Sequence, residues 1–181
     1  MKINVHGGHN AHTPGASSIL NELKEDRIVK DEVIRLLKAE GHTVYDCTDD
    51  AGKNEDQNLI NIVNKCNSRT VDLDASIHLN SGRKDLKGDN STGGVEVYVY
   101  DTSANSAIEE AERVAAKISK ELGVHNRGVK VCGNNLYVVA KTKAPAMLVE
   151  CCFVDDKDDA DRWNAKKCAE AIVEGILNKE I

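Results

Sequence analysis

Four residues of this 181-residue chain have the types and placement that metal-assisted hydrolysis requires: His9, Glu22, His78 and Glu150. Two neutral imidazoles and one carboxylate form a donor set that binds zinc firmly and leaves coordination positions open for water and substrate. Glu150 has the fewest structural explanations. It directly follows the apolar run Ala146-Met147-Leu148-Val149 and precedes Phe153-Val154. An unpaired carboxylate buried there is costly, so it requires a metal, a polar partner or a proton-relay role. Read singly, the other three have plain alternatives. A histidine flanked by His6, Gly7, Gly8 and His12 also suits a loop, an acid in a helix's first turn complements the helix dipole, and a histidine closing an apolar strand also suits a core.

The elements that must gather these residues follow from hydrophobic periodicity. Residues 1–5 read as a strand running into the turn-rich stretch 6–16. Val29, Val33, Leu36 and Leu37 recur at helical spacing over about 21–40, with Gly41 as the stop. Residues 43–47 read as a strand, Leu59, Ile62, Val63 and Cys66 as one face of a second helix, and 71–78 as an alternating strand. Residues 81–94 are rich in Gly, Asp, Asn, Ser and Lys and read as a flexible surface loop. A strand over 95–100 follows from β-branched and aromatic content, then a helix from about Ala104 to Leu122. The apolar runs 136–140 and 146–149 complete six strand candidates, and a last helix covers about 158–177.

This order predicts a single α/β domain over 1–181, with a mixed, mostly parallel central sheet of about six strands flanked by helices. Open sheets of this kind place their sites at the carboxyl ends of strands. Four of the six strand candidates end in one of the four residues, or in another able to bind metal or move protons, or lead into a loop or helix start that holds one.

Composition narrows the function classes. The formal charge is -6 and no Lys/Arg-rich stripe is present, which argues against a nucleic-acid partner, because that affinity comes mainly from neutralised phosphates. No segment reaches membrane-spanning length, and the first residues lack an apolar export segment, so synthesis in the cytoplasm without a signal peptide is expected. With 3% aromatic residues the core must rest on Val, Ile, Leu and Ala. Six scattered cysteines without a C-x-x-C unit read as mostly small buried hydrophobes in a reduced protein, with one of Cys151 and Cys152 a candidate for lining the site. The acidic stretch Asp155-Asp156-Lys157-Asp158-Asp159 reads as a helix cap, since it lacks the glycine turn and terminal glutamate of a calcium loop.

The order of Gly8-His9, Glu22, Ser76-Ile77-His78-Leu79-Asn80, Gly94-Val95-Glu96-Val97-Tyr98, Arg127-Gly128 and Pro145-Ala146-Met147-Leu148-Val149-Glu150 resembles the zinc-dependent N-acetylmuramoyl-L-alanine amidases. It is similar in particular to catalytic domains of endolysins from clostridial phages, over residues 1 to about 177. The resemblance implies one zinc ion per chain held by His9, Glu22 and His78, with Glu150 as the catalytic acid/base. It selects Glu22 over Glu25, because the family's ligand stands about 19 residues before the glycine ending the first helix, here Gly41. It selects His9 over His6 and His12 through the Gly-His step, although Asn10-Ala11-His12 replaces the family's glycine-rich continuation. The implied activity is hydrolysis of the amide joining N-acetylmuramic acid to L-alanine in peptidoglycan, after release of the protein to the cell wall. The implied substrate contacts are Asn80, Asn126, Arg127 and Tyr137, and a wall-binding domain outside this chain is compatible with it. Two rival readings are a stem-peptide peptidase on the same scaffold and a wall-binding module without catalysis.

Overall fold

Ile3 and Val5 alternate with Asn4 and His6 along the first strand, β1 (Lys2–Gly7), and that alternation sets the architecture. Side chains of a strand point to opposite faces in turn, so one face of the sheet is apolar and the other polar. The computed structural model describes residues 1–103 and 106–181 and carries the division through β2 (Thr43–Asp46), β3 (Leu73–Asn80), β4 (Val95–Val99), β5 (Asn126–Val131) and β6 (Ala146–Phe153). The strand order is β2-β1-β3-β6-β4-β5. Strands β1, β2, β3 and β6 run parallel; β4 is antiparallel to β6 and parallel to β5. The described residues thus form the mixed, mostly parallel six-stranded α/β sheet expected.

The helices are α1 (Glu22–Ala39), α2 (Glu55–Asn67), α3 (Ile108–Leu122), α4 (Tyr137–Lys141), α5 (Lys157–Arg162) and α6 (Ala165–Leu177). Ile3, Val5, Ala75, Ile77, Val97 and Val149 on the apolar face pack with Val29, Val33 and Leu37 of α1, Val114 and Ile118 of α3, and Ile172 and Val173 of α6. All are fully buried, and at ~1.5–3 kcal/mol per buried aliphatic side chain this layer dominates stability. The opposite face carries Asn4, His6, Asp74, Ser76, His78, Glu96, Tyr98 and Glu150, with Ala146 and Leu148 of β6 packing there against Cys132 and Val139. A smaller cluster of Cys47, Ile62, Val63, Cys66 and Val138 lies under α2 and α4. Asn21, Asn54, Asp156 and Asn164 cap α1, α2, α5 and α6, each accepting a backbone N–H three residues on.

Several boundaries differ from those read off the sequence. The run 136–140 is helical in α4, where Val138 and Val139 enter separate clusters, and the fifth strand is Asn126–Val131. That strand lies at the sheet's edge, half-buried or exposed throughout, so it has no apolar signature. Strand β6 continues past Glu150 to Phe153, because Cys151, Cys152 and Phe153 are themselves buried. The last helix is two, α5 and α6, divided at Trp163-Asn164 by extended backbone. The expected start of α3 at Ala104 lies outside the described residues.

The irregular stretch 81–94 is tied to the acids after β6. Asp155 accepts from the amides of Gly82, Arg83 and Lys84, Asp158 from Asp89 and Asn90, and Asp159 from Gly94. Those acids therefore cap and anchor, as a helix start should. Among the described residues, no helix is long and apolar enough to cross a membrane.

Helices α3 and α6 meet at Gly175, where an added Cβ would stand 2.6 Å from Val114 Cα. Gly175→Ala should therefore lower unfolding stability by about 1–3 kcal/mol through overpacking, despite alanine's better helix propensity. Urea unfolding of the variant measures this, and an unchanged or higher midpoint would contradict the close approach.

Candidate metal centre

Glu22 opens α1 one residue after the Asn21 cap, which turns its carboxylate back toward the ends of β1 and β3. Its Oε1 lies 3.2 Å from His9 Nε2 and 3.2 Å from His78 Nδ1. The two imidazole rings stand edge to face, 5.1 Å apart. Donor atoms of His9, Glu22 and His78 all lie within 4.8 Å of one another. A tetrahedral ion with bonds of ~2.0–2.2 Å separates its ligands by roughly 3.3–3.6 Å, close to the two 3.2 Å separations from Glu22, so this group could hold one.

The residues around the group hold each donor in place. The Leu79 amide donates to Glu22 Oε1 at 3.2 Å and the Ala16 amide to Oε2 at 2.8 Å. Ser76 Oγ stands 3.0 Å from His78 Nε2 and can pair with it in either tautomer; without metal the ring proton lies on Nδ1 toward Glu22, and ligation through Nδ1 would move it to Nε2, facing Ser76. The His78 ring lies against Gly8, where a Cβ would meet its Cε1 at 2.0 Å. His9 itself has φ +55°, a left-handed conformation uncommon outside glycine. Arg27 secures that turn by donating to the carbonyls of Gly8 (2.7 Å) and His9 (2.8 Å).

Protonation is consistent with ligation. Burial would raise the Glu22 carboxyl, but hydrogen bonds from His78 and His9 overcome it and hold the group well below the usual carboxylate range. Burial lowers His78 against the pull of Glu22, so its ring stays neutral. At His9 burial also acts downward, and Glu22 reverses the sign. Glu150 is half-buried, with Oε2 sealed from solvent and without a partner among the described residues. Burial, followed by the charges of Glu22 and Glu96, pushes it up to about 8.

Strand register sets the row. His78 pairs with Glu150 across β3–β6, and Glu150 with Glu96 across β6–β4. Of the four expected rim contacts, Asn80 and Arg127 both donate to Glu96. Asn126 uses its side chain to accept the Gly128 amide, and Tyr137 is exposed at the start of α4; neither has a hydrogen bond to the group among the described residues. The competing ligands lie elsewhere. Glu25 accepts from the Trp163 indole at 2.8 Å, His12 is exposed, and His6 is buried beneath Ser76 at 3.4 Å. Cys151 joins the apolar core and Cys152 packs with Leu79 and Val154, both fully buried. Arg27, Ser76 and Glu96 are the polar neighbours to which sequence reasoning gave no role. Period-two alternation from His78 points to Ser76, whereas nothing local marks Arg27.

Residues 3–179 match the profile of the N-acetylmuramoyl-L-alanine amidase family, and the chain belongs to that family of peptidoglycan hydrolases. An uncharacterised protein of Clostridium perfringens is 35% identical across 100% of this chain and 53% of its own length. The endolysin of Bacillus phage SPP1 is 29% identical over 93% of this chain and 60% of its own. The solved catalytic domain of the CD27L endolysin, described as targeting Clostridia difficile, superimposes with a TM-score of 0.85 at 28% identity, covering 100% of this chain and 99% of that one. The chain spans about half the length of the clostridial relatives it matches.

His6 supplies a test of the buried polar layer. Burial, then the nearby His78, lowers it to about 3. Between about 3 and the unfolded value near 6.5 the unfolded chain binds a proton that the folded chain does not, so stability rises with pH. Metal-free protein should lose up to ~1.4 kcal/mol per pH unit from this group as pH falls from about 6 to 4. His6→Gln should lack that component; parallel stability-pH curves for the two proteins would contradict it.

Proposed function

We propose that the chain is a zinc-dependent N-acetylmuramoyl-L-alanine amidase that hydrolyses the bond between N-acetylmuramic acid and L-alanine in peptidoglycan. The observation that carries the reading is the convergence of His9, Glu22 and His78 on one point, one strand from Glu150, whose Oε2 has no hydrogen-bond partner among the described residues. His9, Glu22 and His78 would hold one zinc ion. When bound, zinc polarises the scissile carbonyl and acidifies the attacking water.

Glu150 acts as the proton carrier. It takes a proton from the attacking water and returns it to the departing L-alanine nitrogen, a task suited to a group titrating near neutrality. Glu22 stays ionised and His78 neutral, which keeps both from competing for that proton. Asn80, Asn126, Arg127 and Tyr137 are the proposed contacts to sugar or peptide. The protein reaches peptidoglycan after release from the cytoplasm, and a wall-binding domain outside this chain is compatible with this role.

Glu150→Gln should keep about one zinc per chain and lose roughly 10²–10⁴-fold in turnover. Glu22→Ala should instead lose the metal. Product analysis on purified walls should find new amino termini on L-alanine. Intact muramoyl-L-alanine with a different new terminus would establish the peptidase reading instead. Unchanged turnover in Glu150→Gln would remove the assigned proton carrier.

Chelation gives a separate check. Zinc at 100 times its dissociation constant should stabilise the metal-free protein by ~2.7 kcal/mol, because the assembled ligands exist only in the folded state. A melting temperature indifferent to zinc would rule out the three-ligand site.

A further inference from the structure

Glu96 has no part in the reaction above, yet it lies directly opposite Glu150 in the antiparallel pairing of β4 with β6 and is only 4% exposed. Three donors from three strands converge on it. Asn80 Nδ2 donates to Oε1 at 2.7 Å, the Tyr98 hydroxyl to the same oxygen at 2.9 Å, and Arg127 Nε to Oε2 at 2.7 Å.

A guanidinium commonly pairs with a carboxylate through two parallel N–H groups, one to each oxygen. Here Asn80 and Tyr98 already occupy Oε1, so Arg127 is held by a single prong. Its Nη1 reaches only Gly93 O, at 3.5 Å, and among the described residues none accepts from Nη2. Phe153 fixes the plane, with Arg127 Cζ 5.1 Å from the ring centre. The Arg127 side chain is 35% exposed, so the unused donors remain reachable from solvent. Arg127 is a pre-oriented cation with spare N–H groups, on the strand next to Glu96.

An arginine held this way is suited to a planar anion. In a muramoyl amide the lactyl carboxyl of the sugar is consumed in the scissile bond, so a free carboxylate close to that bond belongs to the peptide. We infer that Glu96 is a positioning residue that presents Arg127 to a free carboxylate of the stem peptide, and that the enzyme thereby discriminates against peptides in which that carboxylate is amidated. The inference rests on the proposed amidase activity and adds a preference to it.

The test compares hydrolysis of two muramoyl peptides that differ only in a free or an amidated peptide carboxylate, by the parent, Glu96→Gln and Arg127→Gln. The parent should favour the free acid by roughly tenfold in kcat/KM, chiefly through KM, as loss of a charged hydrogen bond at a partly exposed site implies. In both variants the ratio should fall toward one. Because each ratio is taken on a single preparation, partial unfolding of a variant lowers both rates and leaves the ratio intact. A parent that cleaves both peptides equally overturns the inference while the amidase reading stands. Variants that slow both peptides alike while keeping the parent's preference also overturn it, leaving Glu96 a purely structural anchor. A parent that leaves the muramoyl-L-alanine bond of both peptides uncut fails the amidase reading itself, and the inference with it.

Discussion

Glu22 Oε1 stands 3.2 Å from an imidazole nitrogen on either side. A carboxylate oxygen and two nitrogen lone pairs at that spacing repel one another unless a cation, either a proton or a metal ion, lies among them. The surroundings preserve this crowding rather than relieve it. Ser76 engages the far nitrogen of His78, the Ala16 amide engages the second oxygen of Glu22, and Arg27 grips the carbonyls of the His9 turn. Holding His9 at positive φ has a conformational cost of its own. A fold that sustains such an arrangement is prepared for a cation before one arrives, so binding loses little to reorganisation.

That preparation depends on the unequal faces of the sheet. The apolar face buries Ile3, Val5, Ile77 and Val149 against α1, α3 and α6 and supplies the rigidity. Strand alternation then delivers Ser76, His78 and Asn80 from β3, Glu150 from β6 and Glu96 from β4 to the opposite face without any choice of loop conformation. Only His9 and Glu22 come from outside strands. Each has its own restraint, the Arg27 clamp for His9 and the Asn21 cap for Glu22.

Strong periodicity made much of this readable from the sequence. Helix α1, its Asn21 start and strands β1, β3 and β4 follow from apolar spacing and turn residues, because each buries a continuous stripe. Strand β5 was hidden: an edge strand of Asn, Arg, Gly and Lys buries little and has no pattern to find. The run 136–140 reads as a strand but folds into α4, since five apolar residues fit either period until their neighbours are known. At the site, motif order singled out His9, Glu22, His78 and Glu150, but Arg27 has a role only through the Gly8-His9 turn after β1, and His6 only through its contact with Ser76 of β3. Glu96 was visible as an acid inside a β-branched strand. Its partners Asn80, Tyr98 and Arg127 come from three separate strands, so its function as a hub needed the sheet order.

Three carboxylates meet around this centre, and their environments separate them. Glu22 gains hydrogen bonds from two imidazoles and two amides, which keep it ionised despite burial. Glu96 gains Asn80, Tyr98 and Arg127, which likewise hold it below its ordinary value against burial. Among the described residues Glu150 has no compensating donor on Oε2, and both neighbouring charges act on it in the same direction. It is therefore the member of the row that keeps a proton most readily near neutrality. Ligand, anchor and proton carrier are the same type of side chain, distinguished by how many donors the fold gives each. A donor placed on Glu150 Oε2 would oppose the effect of burial and narrow the distinction, so the lack of a partner there among the described residues matters as much as the crowded ligands beside it.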